Sequence, residues 1–220
     1  MSGFAWQAVA WDIDGTLVDS EPLHHRALLA ATAEFGADLS PLPETAFVGV
    51  HLKDVWQALR SRLPTGADET EFYRRINHHY AAGAGRLVEI PGATAVIRAL
   101  DALGVRQVCA SNSARAVVDA NLAMLGVAGI ISASVSLDDV GEGKPAPEPY
   151  LRAAALAGTD PARTLAVEDS LTGARAARAA GLSVALLAPL RPDSSAPVDF
   201  HITRLDDILH LQPKPPVLLE

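Results

Sequence analysis

The sequence predicts an α/β protein, a doubly wound parallel sheet with an all-helical block inserted after its first strand. Three observations carry that expectation. From Pro91 to His210, short apolar runs alternate with Ala/Leu-rich stretches of helical length. Those stretches close on Gly104, Gly126, Gly158 and Gly181, as helices ending on a left-handed residue do. Between about Glu21 and Val88 the strand rhythm stops and only helical periodicity remains.

In chain order, residues 8–13 form the first strand, an unbroken apolar run running into acidic residues. Three amphipathic helices follow. Leu28, Ala31 and Phe35 mark the first, ahead of Gly36; Leu52, Val55, Trp56, Leu59 and Leu63 the second; Phe72, Ile76 and Tyr80 the third. Further strands are expected at 105–110, 130–133, 164–167 and 183–187, making five in all. Ser113 is the expected N-cap of the helix running to Leu125. Hinges near 16–21 and 86–91 divide the chain into a core (1–19 plus 89–220) and a helical cap (20–88). The tail, residues 211–220, holds three prolines and is expected to lie extended on the surface.

Composition narrows the function. In 220 residues, 49% are hydrophobic and 20% charged, which supplies a packed core and excludes disorder. A net charge of −8 argues against nucleic acid or an anionic membrane as partner. The single cysteine, Cys109, sits in an apolar run, reads as a small buried hydrophobe and points to a reducing compartment. No apolar run approaches membrane-spanning length and no basic segment precedes the first apolar residues. The expectation is a cytoplasmic protein, monomeric by default.

Ligands of an open parallel sheet bind beyond the carboxyl ends of its strands, so the polar residues closing each strand belong together. The first strand ends in Asp12 and Asp14, the second in Ser111, Asn112 and Ser113, and the fourth in Glu168 and Asp169. Between them lies a loop carrying Lys144. Two carboxylates about 4 Å apart repel by roughly 4 kcal/mol at an effective dielectric near 20. A divalent cation relieves that repulsion and can grip an anionic substrate. Only 3 of the 18 basic residues are lysines, so a lysine here is a departure from the chain's habit. A nucleotide P-loop is excluded, because Pro145 follows the lysine and Asp138 stands where the first glycine is needed.

These four pieces, Asp12-x-Asp14-Gly-Thr, Ser111-Asn112, Lys144-Pro145 and Glu168-Asp169, resemble the four motifs of the haloacid dehalogenase-like superfamily, in order and over nearly the whole chain. Residues 19–24 and 143–151 resemble its helical-cap branch of sugar-phosphate phosphatases, phosphoglycolate phosphatases and β-phosphoglucomutases. The resemblance implies a Rossmann-like core with an all-α cap, and Mg²⁺-dependent hydrolysis of a small phosphorylated metabolite. By position, Asp12 is then the nucleophile and Asp14 the general acid/base. Mg²⁺ is held by Asp12, the Asp14 backbone carbonyl and Asp169, with Glu168 as a further ligand or a partner of the ligands. Ser111, Asn112 and Lys144 hold the phosphate. Glu21, His24, Gly49, Lys53, Ser113 and Arg115 are candidates to contact the rest of the substrate, whereas His25, His78 and His79 read as surface residues. A mutase is the main alternative, but Leu52 and Ala114 occupy the positions where β-phosphoglucomutases present an arginine and a lysine to the second phosphate. Asp14 disfavours a dehalogenase, which lacks this second aspartate.

Overall fold

The structure, a computed structural model, describes residues 4–39, 41–43, 45–47, 50 and 52–212. Strand β1 (Ala8–Trp11) is wholly buried. The chain then turns through Gly15 into β2 (Val18–Asp19), which pairs antiparallel with β3 (Val88–Glu89) in a short ribbon. Between the ribbon strands lie helices α1 (Glu21–Glu34), α2 (Leu52–Leu59) and α3 (Glu69–Gly83). The helical block predicted between 20 and 88 is thus entered and left through one two-stranded neck.

After β3 come α4 (Ala93–Ala102), β4 (Arg106–Ala110), α5 (Arg115–Leu125) and β5 (Ala133–Val135). Then follow α6 (Glu148–Leu156), β6 (Thr164–Glu168), α7 (Leu171–Ala179), β7 (Ser183–Leu187) and β8 (Phe200–Ile202). Six strands form one parallel sheet in the order β5-β4-β1-β6-β7-β8. The order reverses at β1, so the crevice at a topological switch point opens directly beyond Trp11. This is the doubly wound α/β architecture that the sequence predicts.

Period-2 alternation sends neighbouring side chains of β1 to opposite layers. Val9 and Trp11 join Ile97, Leu100 and Val118 in one apolar layer, which continues into the helical block through Leu23, Phe72 and Tyr80. Ala8 and Ala10 join Ala153, Ala174 and Ala177 in the other. Small residues on both sides of that second layer let α6 and α7 approach the sheet closely. At β1 the first layer is tied by Gln107, whose Oε1 accepts from Trp11 Nε1 at 3.1 Å while its Nε2 donates to the Ile97 carbonyl.

Three expectations need correction. The third sheet strand starts at Ala133 rather than residue 130, because Ile130 and Ile131 are held in a turn by Val127 after α5. A sixth strand, β8, went unpredicted; three residues are too few to show a period. Ser113 does not cap α5: Ala114 is the N-cap, and Asp138 Oδ2 accepts the Arg115 N–H instead. Of the predicted extended tail, residues 213–220 lie outside the described residues.

Replacing Gln107 by Leu leaves the buried Trp11 N–H without an acceptor. The expected loss is about 1–3 kcal/mol of stability, read by urea unfolding with the midpoint shifted and the slope unchanged.

Candidate active site

Backbone pairing brings the strand ends together. Trp11 sits opposite Cys109 on one side and Val167 on the other, and the Asp12 N–H donates to the Val167 carbonyl at 2.9 Å. Asp12 is therefore delivered between the end of β4 and Glu168. Lys144 arrives from the loop before α6, and its Nζ donates to Asp12 Oδ1 and Glu168 Oε1, each at 2.6 Å. The ammonium also lies 4.9 Å from the centre of the Tyr150 ring. Tyr150 donates its hydroxyl to Glu168 Oε1 at 2.7 Å, and Ser170 Oγ donates to Glu168 Oε2 at 3.1 Å. Both Glu168 oxygens are therefore engaged by protein donors. Room for that carboxylate exists because residue 173 is glycine; a Cβ there would stand 1.7 Å from Oε1.

Asp12 is bonded on one side only. Its Oδ2 is buried and has no hydrogen-bond partner among the described residues. Burial first, and the Glu168 charge second, push the Asp12 carboxyl well above the usual carboxylate range, against the pull of Lys144. For Lys144, burial acts to lower the ammonium's affinity for its proton, but Asp12 and Glu168 outweigh it and hold the group charged. Asp169 is an exposed residue, but partial desolvation of its carboxyl first and the Glu168 charge second push that carboxyl up to about 6. Its Oδ1 accepts from Thr16 Oγ at 3.4 Å, and it lies against Gly15, where a Cβ would stand 2.2 Å from Oδ2. Gly15 has φ 85°, so both its backbone and its neighbour demand glycine.

Asp14 occupies the opposite environment. Its Oδ2 accepts from Ser113 Oγ at 2.7 Å and Ser111 Oγ at 3.2 Å, and its Oδ1 from Asn121 Nδ2 at 3.1 Å. His24 Nε2 lies 3.5 Å from Oδ1. Burial would raise this carboxyl, but the His24 contact and the Ser113 hydroxyl overcome it and hold Asp14 well below the carboxylate range.

The structure thus brings Asp12, Asp14, Ser111, Lys144, Glu168 and Asp169 to one crevice. Asn112 acts through its side chain as well: its Oδ1 accepts from Lys144 N at 2.7 Å and its Nδ2 donates to Lys144 O at 3.0 Å, clamping the serine and lysine loops together. His24, expected just past the hinge, reaches Asp14. Ser113 points at Asp14 too, which is why it is unavailable as a helix cap. Arg115 is engaged elsewhere: its guanidinium donates to Ser134 Oγ and O and pairs with Asp139 and Asp119. Glu21 is half-buried and adds charge near Tyr80, whereas Lys53 is exposed in the first turn of α2. Gly49 lies outside the described residues. His79 pairs with Glu34 on the surface.

Sequence reading missed Asn121, Tyr80, Tyr150, Thr16 and Gly173. Tyr80 and Asn121 sit inside helical periodicity that reads as core. Only Gly173, inside a helix where glycine is unfavourable, carried a visible signal.

One carboxylate oxygen of each of Asp12, Glu168 and Asp169 can be chosen so that all three lie within 4.8 Å of one another. One ammonium against three carboxylates leaves an excess that a divalent cation matches, and clustered carboxylate oxygens are the donors such an ion takes. The residues fit the group. With Glu168 bonded on both oxygens, Asp12 and Asp169 are the side chains free to hold it.

Fold and site together define an enzyme centre built to meet an anionic substrate with fixed positive charge. The haloacid dehalogenase-like hydrolase profile matches residues 6–181, and the chain belongs to that family. It is 34% identical over 184 residues to a plasmid-encoded phosphoglycolate phosphatase of Cupriavidus necator, covering 82% of this chain and 80% of that one. It is 33% identical over 193 residues to hexitol phosphatase B of Escherichia coli K12, covering 83% and 84%. Among solved structures, CbbY from Rhodobacter sphaeroides in complex with phosphate superposes with a TM-score of 0.81 at 25% identity, over 94% of this chain and 100% of that one.

Lys144→Ala removes the one cation between two buried carboxylates. The expected loss is about 3–5 kcal/mol at neutral pH, measured by chemical denaturation, and it shrinks as acid protonates Asp12, whose carboxyl burial pushes up.

Proposed function

We propose that the protein is a Mg²⁺-dependent phosphatase that hydrolyses a small phosphate monoester through an aspartyl-phosphate on Asp12. The observation that carries this reading is the divided state of the Asp12 carboxylate. Lys144 holds Oδ1 in place, while Oδ2 is buried, unpartnered and free to attack. Residues 1–19 and 89–220 form the core that holds the chemistry, and 20–88 the cap that covers it.

In the first step Asp12 Oδ2 attacks phosphorus and the ester oxygen departs with a proton from Asp14. In the second, Asp14 takes a proton from the water that releases phosphate. Lys144, the Ser111 hydroxyl and the Asn112 backbone N–H compensate charge on the non-bridging oxygens. Asp12, Asp169 and the Asp14 carbonyl would hold Mg²⁺, which would supply Lewis-acid neutralisation of the phosphoryl charge. Such density of fixed charge suits a reaction whose enzymes reach accelerations of about 10²¹-fold.

Hydrolysis is favoured over a mutase reaction by Arg115 and Ser113. Both are candidate contacts for a second phosphate and both are engaged by protein groups, Ser113 by Asp14 and Arg115 by Ser134. The substrate class follows the relatives, which act on phosphoglycolate and hexitol phosphates by name. No helix among the described residues is long and apolar enough to cross a membrane. The buried free thiol of Cys109 supports a reducing, cytoplasmic setting.

Asp12→Asn keeps the shape of the site and removes the attacking charge. Turnover of p-nitrophenyl phosphate should fall by about 10³-fold or more with the circular dichroism spectrum unchanged; near wild-type release of phosphate would refute the mechanism.

Mg²⁺ should raise the melting temperature and EDTA reverse it. At about 100 times its Kd the ion contributes about 2.7 kcal/mol. Protons compete for the same oxygens. Asp169, with its carboxyl up to about 6, is largely protonated at pH 5 and must lose that proton to bind. The shift is therefore larger at pH 7.5 than at pH 5.

A further inference from the structure

Asn121 stands on the core helix α5 and Tyr80 on α3 of the cap; both are fully buried. The Tyr80 hydroxyl donates to Asn121 Oδ1 at 2.7 Å, and Asn121 Nδ2 donates to Asp14 Oδ1 at 3.1 Å. The two bonds are directional. With its oxygen taking the phenol proton, the amide presents its NH₂ to the carboxylate; the reverse orientation would set the amide oxygen against the carboxylate oxygen and leave the phenol proton without this acceptor.

The other groups around Asp14 are not fixed in this way. Ser111 and Ser113 bond it through hydroxyls that can rotate, and in the reading above Ser111 turns to the phosphate. His24 is longer, at 3.5 Å, and partly exposed. Among the described residues, Asn121 is the donor to Asp14 whose other polar atom is tied off by a buried partner. That partner belongs to the cap, whose ring also stacks on His24 with centroids 4.4 Å apart.

We propose that Asn121, keyed by the cap hydroxyl of Tyr80, is the positioning residue that orients the Asp14 carboxyl for proton transfer to the leaving group. The inference rests on the phosphatase reading, in which Asp14 gives its proton to the departing oxygen as the P–O bond breaks and the new bond forms to Asp12. It adds a dependence of that step on the cap: a cap displaced from α5 would free the amide to turn, and Asp14 with it.

The test uses leaving groups. For kcat/KM, which reports the steps through P–O cleavage, phenyl phosphate needs a proton on its leaving oxygen, whereas p-nitrophenyl phosphate departs without one. Asn121→Ala should lower kcat/KM for phenyl phosphate by about 10-fold or more, and for p-nitrophenyl phosphate by less than about threefold. Tyr80→Phe, which keeps the ring against His24, should show the same selectivity at smaller size. Equal losses on both esters, no loss on either, or a gain on phenyl phosphate would overturn the proposal, in either variant. Asp14→Asn separates the two levels. If it shows the selective loss and Asn121→Ala does not, the positioning role fails; if Asp14→Asn itself loses equally on both esters, the acid role of Asp14 fails.

Discussion

The buried ammonium of Lys144 is the interaction on which the rest depends. It lies between Asp12 and Glu168, both removed from water, and nothing else positive among the described residues bonds either carboxylate. Without it the buried Asp12 carboxylate would be driven to protonate, and in the proposed reaction a protonated Asp12 cannot attack phosphorus. The lysine is fixed three ways: by the two carboxylates, by the Tyr150 ring and by the Asn112 clamp on its own backbone. Such an arrangement is weak evidence for stability, since a buried ion pair loses hydration on both sides. It is stronger evidence for a chemical purpose.

Sheet topology makes the arrangement affordable in space. β1 is central, the strand order reverses around it, and its pairing register sets Asp12 beside Glu168 on one flank and the serine loop on the other. The alanine-rich layer then lets α6 lie close beneath, which brings Tyr150 to Glu168. Gly173 completes the fit by leaving the volume a methyl group would fill. Core packing and site geometry are one construction here, because residues that look like filler set where the charges sit.

Much of this was legible in the sequence. Strand ends carry polar residues that are out of place in apolar runs, so Asp12, Asp14, Ser111, Lys144, Glu168 and Asp169 announce themselves by type and position. Glycines with positive φ closed the helices as expected at Gly104, Gly126, Gly158 and Gly181. The unread parts share a cause. Tyr80 and Asn121 keep helical periodicity and meet only through tertiary packing, so no local pattern marks them. The partners of Arg115 are equally invisible locally, because it is β5 starting at Ala133 that puts Ser134 within its reach. β8 is too short for periodicity to register.

Asp12 and Asp14 stand two residues apart, yet the fold drives their carboxyls in opposite directions. Asp12 is buried with one oxygen unbonded and a second carboxylate nearby, and its proton affinity rises. Asp14 is surrounded by hydroxyl, amide and imidazole groups, and its affinity falls. Pairs of like groups pushed apart by their surroundings are how one site runs acid and base chemistry. An ion bound at Asp12 and Asp169 would lower the Asp12 carboxyl and make it a nucleophile. Asp14, bonded by donors that favour its charged form, must lose some of them before it can carry a proton to the leaving group. The His24 contact and the Ser113 hydroxyl are the first causes of that lowered affinity, so they are the donors whose loosening would move Asp14 toward the acid form that the proposed first step requires.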